Sequence, residues 1–107
     1  MATSADYIEF VAEQLRGFGS VRYRKMFGEY MVYLEEKPVF SVCDNTVFVK
    51  KLPQIAGLMR EAECGFPYEG AKEHYIVDVE DRELLEQLIP LLERSVAGLT
   101  LTRSLWG

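Results

Sequence analysis

The 107-residue chain has the size of one ordinary domain, and we expect a single domain over residues 1–107. Its composition, 49% hydrophobic and 27% charged, is typical of a soluble globular protein, and no apolar run approaches the roughly 20 residues of a membrane helix. The formal net charge of −5 disfavours nucleic-acid binding, which usually needs a basic face. Because the N-terminus lacks the basic and apolar regions of a secretory signal, we expect a cytoplasmic protein.

The chain begins with a predicted helix over residues 4–16. Thr3 or Ser4 can cap this helix, and Asp6 complements the positive end of the helix dipole. Gly17 is expected to end it. The apolar residues of the segment recur at three- and four-residue spacing and predict one buried stripe: Tyr7, Ile8, Val11, Ala12 and Leu15.

Four strands are predicted next, over residues 21–27, 30–35, 39–43 and 47–50. Gly28-Glu29 joins the first two, and residues 35–38 form the next turn. Asp44-Asn45-Thr46 indicates a tight hairpin, because Asn and Asp tolerate the left-handed backbone of such turns. Consecutive strands joined by such short turns pair antiparallel, so the pattern predicts a meander.

The second half of the chain predicts a helix over residues 53–62, a turn-rich connection over 63–72 and one more strand over 75–79. A last helix begins near Asp81, and Pro90 is expected to kink or split it. The order α-β-β-β-β-α-β-α predicts a two-layer α+β fold. In this fold an antiparallel sheet, the meander plus one later strand, carries helices on one face.

The motif Arg24-Lys25-Met26-Phe27-Gly28, followed by a short aromatic strand, resembles the N-terminal domain of the TfoX/Sxy competence-regulator family. The agreement continues through residues 44–50, the Phe66-Pro67-Tyr68 turn and the strand that contains Tyr75, and so covers nearly the whole chain. Glu29 stands where the family often has a second glycine. The resemblance implies the fold and a regulatory role. The second, helical domain of the full-length regulators is absent from these 107 residues.

A cationic, aromatic segment of the meander is the candidate site for a protein partner or an anion. Its residues are Arg22, Arg24, Lys25, Met26, Phe27 and Gly28. Side chains alternate along a strand, so Arg22 and Arg24 are expected on one sheet face and Lys25 on the other. Arg matches carboxylate and phosphate geometry. The alternative is that these cations balance acidic neighbours on adjacent strands: Glu29, Glu35 and Glu36.

No residue pattern in the sequence predicts catalysis, a metal or a cofactor. His74 is the single histidine and lacks ligands at recognisable spacing, so a hydrogen-bonded strand histidine is expected. Cys43 and Cys64 have no Cys-x-x-Cys spacing and are expected to be reduced thiols. No nucleophile elbow or glycine-rich phosphate loop is present. We therefore expect a protein that is not an enzyme.

Three functional hypotheses remain open. The first is a regulatory module that binds protein, with a homodimer through the exposed edge of the meander and the apolar tail (98–107) as one variant. The second is a small-ligand or enzymatic domain with a pocket beside the connection before the last strand, using Tyr68, Lys72 and His74. The third is weak DNA binding through the Arg22–Lys25 patch, which the acidic net charge disfavours.

Overall fold

The computed structural model describes residues 3–26 and 29–93, and within them the predicted two-layer α+β fold is confirmed. The elements in chain order are α1 (Ala5–Leu15), β1 (Val21–Met26), β2 (Glu29–Leu34), β3 (Lys37–Cys43), β4 (Thr46–Lys50), β5 (Cys64–Gly65), β6 (His74–Val77) and α2, whose described part covers residues 82–93. The predictions for the Gly28 turn and for the docking of residues 98–107 fall outside the described residues.

Helix α1 begins where the sequence predicts because Ser4 caps it. Ser4 Oγ accepts a hydrogen bond from the backbone N–H of Tyr7 at 3.1 Å, and Asp6 lies in the first turn. The α-helix ends at Leu15, and one 3-10 turn, Arg16–Phe18, leads into the sheet. The predicted apolar stripe is buried at four of its five positions: Ile8, Val11, Ala12 and Leu15.

Two-residue turns join β2 to β3 and β3 to β4, which confirms the meander. Glu35 and Glu36 have φ values of 53° and 67°. Asp44 and Asn45 have φ values of 52° and 54°. Positive φ at both central residues is typical of the type I′ turn, whose twist matches that of the flanking strands. Asn45 also ties this turn to α1, because its Oδ1 accepts a hydrogen bond from Ser4 N–H at 3.0 Å.

The turn between β2 and β3 is shorter than predicted, because Pro38 belongs to β3. Tyr33 pairs with Pro38 and Val32 pairs with Phe40, so Val39 is an extra residue on β3. This β-bulge explains how a proline fits inside a sheet, since proline has no N–H to donate to a regular ladder.

Residues 53–62 form short turns instead of the predicted helix. A 3-10 turn covers Pro53–Ile55, and Met59 N–H donates to Ile55 O at 2.9 Å. Ile55 and Met59 are buried, so one helical turn already places both apolar side chains in the core. Gly57 lies between them, and glycine costs a helix interior about 1 kcal/mol relative to alanine. Both apolar residues are therefore buried without a regular helix.

The two elements that follow differ in how well the sequence predicts them. β5 is a two-residue edge strand paired with β6, where a connection was predicted. α2 begins as predicted, with Leu84 N–H donating to Asp81 Oδ1 at 3.1 Å. It continues through Pro90 to residue 93, so the described part of the helix is not split there. No described helix is long and apolar enough to cross a membrane.

The six strands lie in the order β1-β2-β3-β4-β6-β5, with every neighbouring pair antiparallel. α1 and α2 pack on one face, termed the helix-covered face, and share a core with alternate strand residues: Val32, Leu34, Phe40, Val42, Val47, Val49 and Val77. The opposite face, termed the open face, carries the intervening residues, among them Arg22, Arg24, Met26, Met31, Tyr33, Ser41, Phe48 and Ile76. β1 and β5 are the edge strands.

Candidate interaction surface

The structure distributes the candidate cations over both faces of edge strand β1. Arg24 pairs with Met31 on the open face, whereas Lys25 pairs with Tyr30 on the helix-covered face. Arg22 lies on the open face with Arg24, as the alternation predicts. Phe27 and Gly28, the other members of the predicted site, lie outside the described residues.

Arg22 is already neutralised by an acidic neighbour. Its Nε donates to both carboxylate oxygens of Glu36, at 3.0 and 3.1 Å. The guanidinium also lies over the Tyr33 ring, 4.1 Å from the ring centre. For this residue the alternative predicted from the sequence, charge balance with a neighbouring acid, is the arrangement observed.

The side chains of Arg24 and Lys25 have no hydrogen-bond or ion-pair partner among residues 3–26 and 29–93, and both are exposed. Met26, the next residue, is 40% exposed and adds an apolar side chain beside the two cations. The last three residues of β1 thus present two unpaired cations and a flexible thioether. We refer to these three residues as the β1 tip.

Tyr23 anchors β1 to helix α1 from the helix-covered face. Its hydroxyl donates a hydrogen bond to the Glu9 carboxylate, and its ring contacts Tyr30 edge-on with ring centres 5.5 Å apart. The hydrogen bond from Tyr23 is the main cause that lowers the pKa of Glu9, with Arg16 adding to the effect. The same hydrogen bond raises the pKa of Tyr23. Tyr23 therefore connects β1 to both α1 and β2 on the helix-covered face.

Beside the β1 tip, the open face holds a partly buried acid and a partly buried thiol. Glu29 precedes Tyr30, and Cys43 follows Val42, so the antiparallel register sets them side by side. Burial raises the pKa of Glu29, while a hydrogen bond with Cys43 and the charge of His74 oppose this shift. Burial, followed by the Glu29 charge, raises the pKa of the Cys43 thiol. Both pKa shifts favour the uncharged forms of Glu29 and Cys43.

Comparison with known proteins connects this surface to a family. The sequence profile of the TfoX N-terminal domain matches residues 13–98. The chain belongs to the TfoX N-terminal domain family. It is also similar to a protein of Spirochaeta aurantia named "Uncharacterized 12.7 kDa protein in trpE 5'region", with 37% identity over 91 residues. That alignment covers 83% of this chain and 79% of the other protein.

The TfoX N-terminal domain match includes all six strands, so the β1 tip lies within the part of the chain that defines the family. It begins inside α1, at residue 13. The predicted resemblance to the TfoX/Sxy family is thus confirmed, and with it the assignment to a family of regulatory domains.

The second predicted site of this TfoX N-terminal domain is only partly brought together. His74 lies on β6, and its Nδ1–H donates to the Lys72 carbonyl at 2.7 Å, so His74 is a hydrogen-bonded strand histidine as expected. The Phe48 ring contacts the imidazole edge-on, with ring centres 6.4 Å apart. The Tyr68 and Lys72 side chains are exposed to solvent. Among the described residues, no three His, Cys, Asp or Glu side chains are grouped closely enough to hold a metal ion.

Two residues close to the candidate site are not among its predicted members. Tyr33 is the platform for Arg22, and Glu9 is the acceptor for Tyr23. Tyr33 could be found from the strand register, because pairing Met26 with Glu29 places it opposite Arg22. Glu9 carries no such signal, since the angle at which α1 crosses the sheet is a tertiary property.

Proposed function

We propose that this TfoX N-terminal domain is a regulatory module without catalytic activity, which binds another protein in the cytoplasm through the Arg22–Gly28 segment. The observation that supports this proposal is the β1 tip. There Arg24 and Lys25 are exposed without a charged partner among the described residues, directly beside the exposed Met26. The free thiols Cys43 and Cys64 are consistent with a reducing compartment.

The chemistry of the β1 tip favours a protein partner with an acidic, partly apolar surface. A guanidinium forms two parallel hydrogen bonds with one carboxylate, and the ammonium of Lys25 supplies a second positive charge. Met26 offers an adaptable apolar contact that a bare polyanion would not use. Because Arg22 is neutralised by Glu36, the local positive charge is smaller than the sequence indicates. A long polyanion such as DNA would also meet the overall charge of −5.

The test starts from cross-linking in cells with a tagged form of the chain, followed by purification of the protein that is captured. The affinity of that protein is then measured for the unaltered chain, for Arg24→Glu and for Arg60→Glu. Arg60 is the matched control, because it is also exposed and without a charged partner among the described residues, and it lies in the turns after β4.

We expect Arg24→Glu to weaken binding at least tenfold, which corresponds to about 1.4 kcal/mol, and Arg60→Glu to leave it nearly unchanged. Equal losses for the two variants would mean that binding follows net charge and not the β1 tip. A purified chain that binds none of the captured proteins would contradict the proposed function itself.

A further inference from the structure

We propose that the partner binds by strand addition, with an extended acidic segment pairing antiparallel to the outer edge of β1. This inference rests on the proposed function, since it specifies how a protein would engage the β1 tip. It adds the backbone of β1 to the side chains already described and predicts a short sequence pattern in the partner.

The outer edge of β1 is available for pairing in the part of the chain that the structure describes. β1 lies at the end of the six-stranded sheet and pairs only with β2 within those residues. It is six residues long, which is a typical strand length. The opposite edge, β5, has two residues and offers little backbone to a partner. Strand addition is therefore expected at β1.

The register identifies which backbone groups of β1 point outward. Glu35 N–H donates to Ser20 O at 2.8 Å, and these two residues are opposite each other in the β1–β2 register. They thus belong to the hydrogen-bonded class of antiparallel pairs, which recurs at every second residue. Arg22, Arg24 and Met26 consequently direct their N–H and C=O groups toward β2. The intervening residues, Val21, Tyr23 and Lys25, direct theirs to the outer edge.

The side chains of the β1 tip define the segment that fits this edge. In an antiparallel addition, one partner residue lies opposite Lys25 on the helix-covered face, and the next lies opposite Arg24 on the open face. An acid at each of these two positions pairs with an unpaired cation. The preceding partner residue lies opposite Met26 and suits an apolar side chain. The expected pattern, read from the N-terminus, is apolar-acidic-acidic in an extended segment.

A second copy of β1 is a poor occupant of the same edge, for reasons of charge. Outward-facing residues must pair with outward-facing residues, so the symmetric pairs that involve the cations are centred on Arg22, Tyr23, Arg24 or Lys25. In that order, they place Arg22 opposite Arg22, Arg22 opposite Arg24 twice, Arg24 opposite Arg24, and Lys25 opposite Lys25. Like charges directly across a sheet are destabilising. The homodimer predicted from this edge is thus disfavoured, whereas an acidic strand is favoured.

Amide hydrogen exchange distinguishes strand addition from binding by side chains alone. The probe is a synthetic peptide of roughly eight residues, a length that spans β1, with Val-Glu-Glu at its centre. The control peptide has Val-Lys-Lys there. In the free chain we expect fast exchange at Tyr23 and Lys25 and slow exchange at Arg24, whose amide bonds to β2. The acidic peptide should slow exchange at Tyr23 and Lys25, and the basic peptide should not. Saturable binding without this protection, or no binding at about 1 mM peptide, would overturn the inference.

A proline variant tests the same point with the natural partner. Lys25→Pro removes an outward N–H, and proline is tolerated on an edge strand where the N–H faces solvent. Lys25→Ala removes the same charge but keeps the N–H. We expect Lys25→Pro to bind about fivefold more weakly than Lys25→Ala, the effect of one lost backbone hydrogen bond, while both retain the circular dichroism spectrum of the parent. If Arg24→Glu abolishes binding but Lys25→Pro and Lys25→Ala are equal, strand addition is wrong and the proposed function stands.

Discussion

Two phenylalanines allow a direct test of whether the helix-covered face of the sheet is the core. Phe40, on the helix-covered face of β3, is 1% exposed, whereas Phe66, just after β5, is 62% exposed. Replacing either by alanine removes the same atoms. Because large-to-small substitution in a packed core leaves a cavity, Phe40→Ala should lower the free energy of unfolding by about 3–5 kcal/mol. Phe66→Ala should change it by less than about 0.5 kcal/mol, as for other surface substitutions.

A loss of this size is a large fraction of the roughly 5–15 kcal/mol that stabilises a small domain. For a chain of 107 residues, a loss of 4 kcal/mol should lower the Tm by roughly 15–30 °C. Urea denaturation followed by circular dichroism gives both free energies, and an unchanged m-value in Phe40→Ala shows that the unfolded state is the same. A loss for Phe40→Ala as small as that expected for Phe66→Ala would refute the assignment of the helix-covered face as the core.

Three further predictions concern side-chain hydrogen bonds, a buried carboxyl and a tight turn of the sheet. Tyr23→Phe removes the hydrogen bond to Glu9, so the pKa of Glu9 should rise toward its usual range in a carbon-13 NMR titration. Since a lowered carboxyl pKa adds stability that is lost as pH falls through the folded value, this variant should also lose less stability in acid than its parent. Glu29→Gln should gain stability relative to its parent as pH rises through the folded pKa of Glu29, measured by urea denaturation, because burial raises that pKa and penalises the charged form. Asn45→Ala should lose about 1–2 kcal/mol, because it removes the acceptor for Ser4 N–H and strains a left-handed turn, whereas Asn45→Gly should lose less in the same assay.

The elements that sequence reasoning predicted best are those set by local chemistry. The meander follows from short turns in which Asp44 and Asn45 accept positive φ, and α1 follows from the Ser4 cap and a regular apolar stripe. The helix predicted over residues 53–62 is wrong, because the four-residue spacing of Ile55 and Met59 fits both a full helix and a single helical turn. β5 was missed because two residues cannot display an alternating pattern.

The candidate site was predicted in part, again because strand periodicity is local. The alternation of side chains along a strand was enough to predict that Arg22 and Arg24 lie on one sheet face and Lys25 on the other. It was not enough to decide which cation is neutralised, since Glu29, Glu35 and Glu36 all lie near β1 in sequence. In the structure, the Glu35 carboxylate accepts a hydrogen bond from Ser20 N–H, and the Glu36 carboxylate accepts one from Arg22. The Glu29 carboxyl forms a hydrogen bond with Cys43. Which acid pairs with which donor depends on where each side chain extends from its tight turn, and no pattern in the sequence predicts this.

The charge on β1 can serve two purposes that are usually considered separately. Cations on an edge strand protect a sheet from pairing with copies of itself, since the symmetric registers of β1 centred on residues 22 to 25 each set like charges opposite each other. Protection alone does not require an exposed Met26 beside the cations, because an apolar side chain at an open edge promotes the association that the charges oppose. A partner strand that is acidic, with an apolar residue at one end, accounts for both features. Charge repulsion disfavours a second copy of β1, whereas charge attraction and burial of Met26 favour the acidic strand. The combination of Arg24, Lys25 and Met26 is thus better explained by selective pairing than by protection of the edge alone.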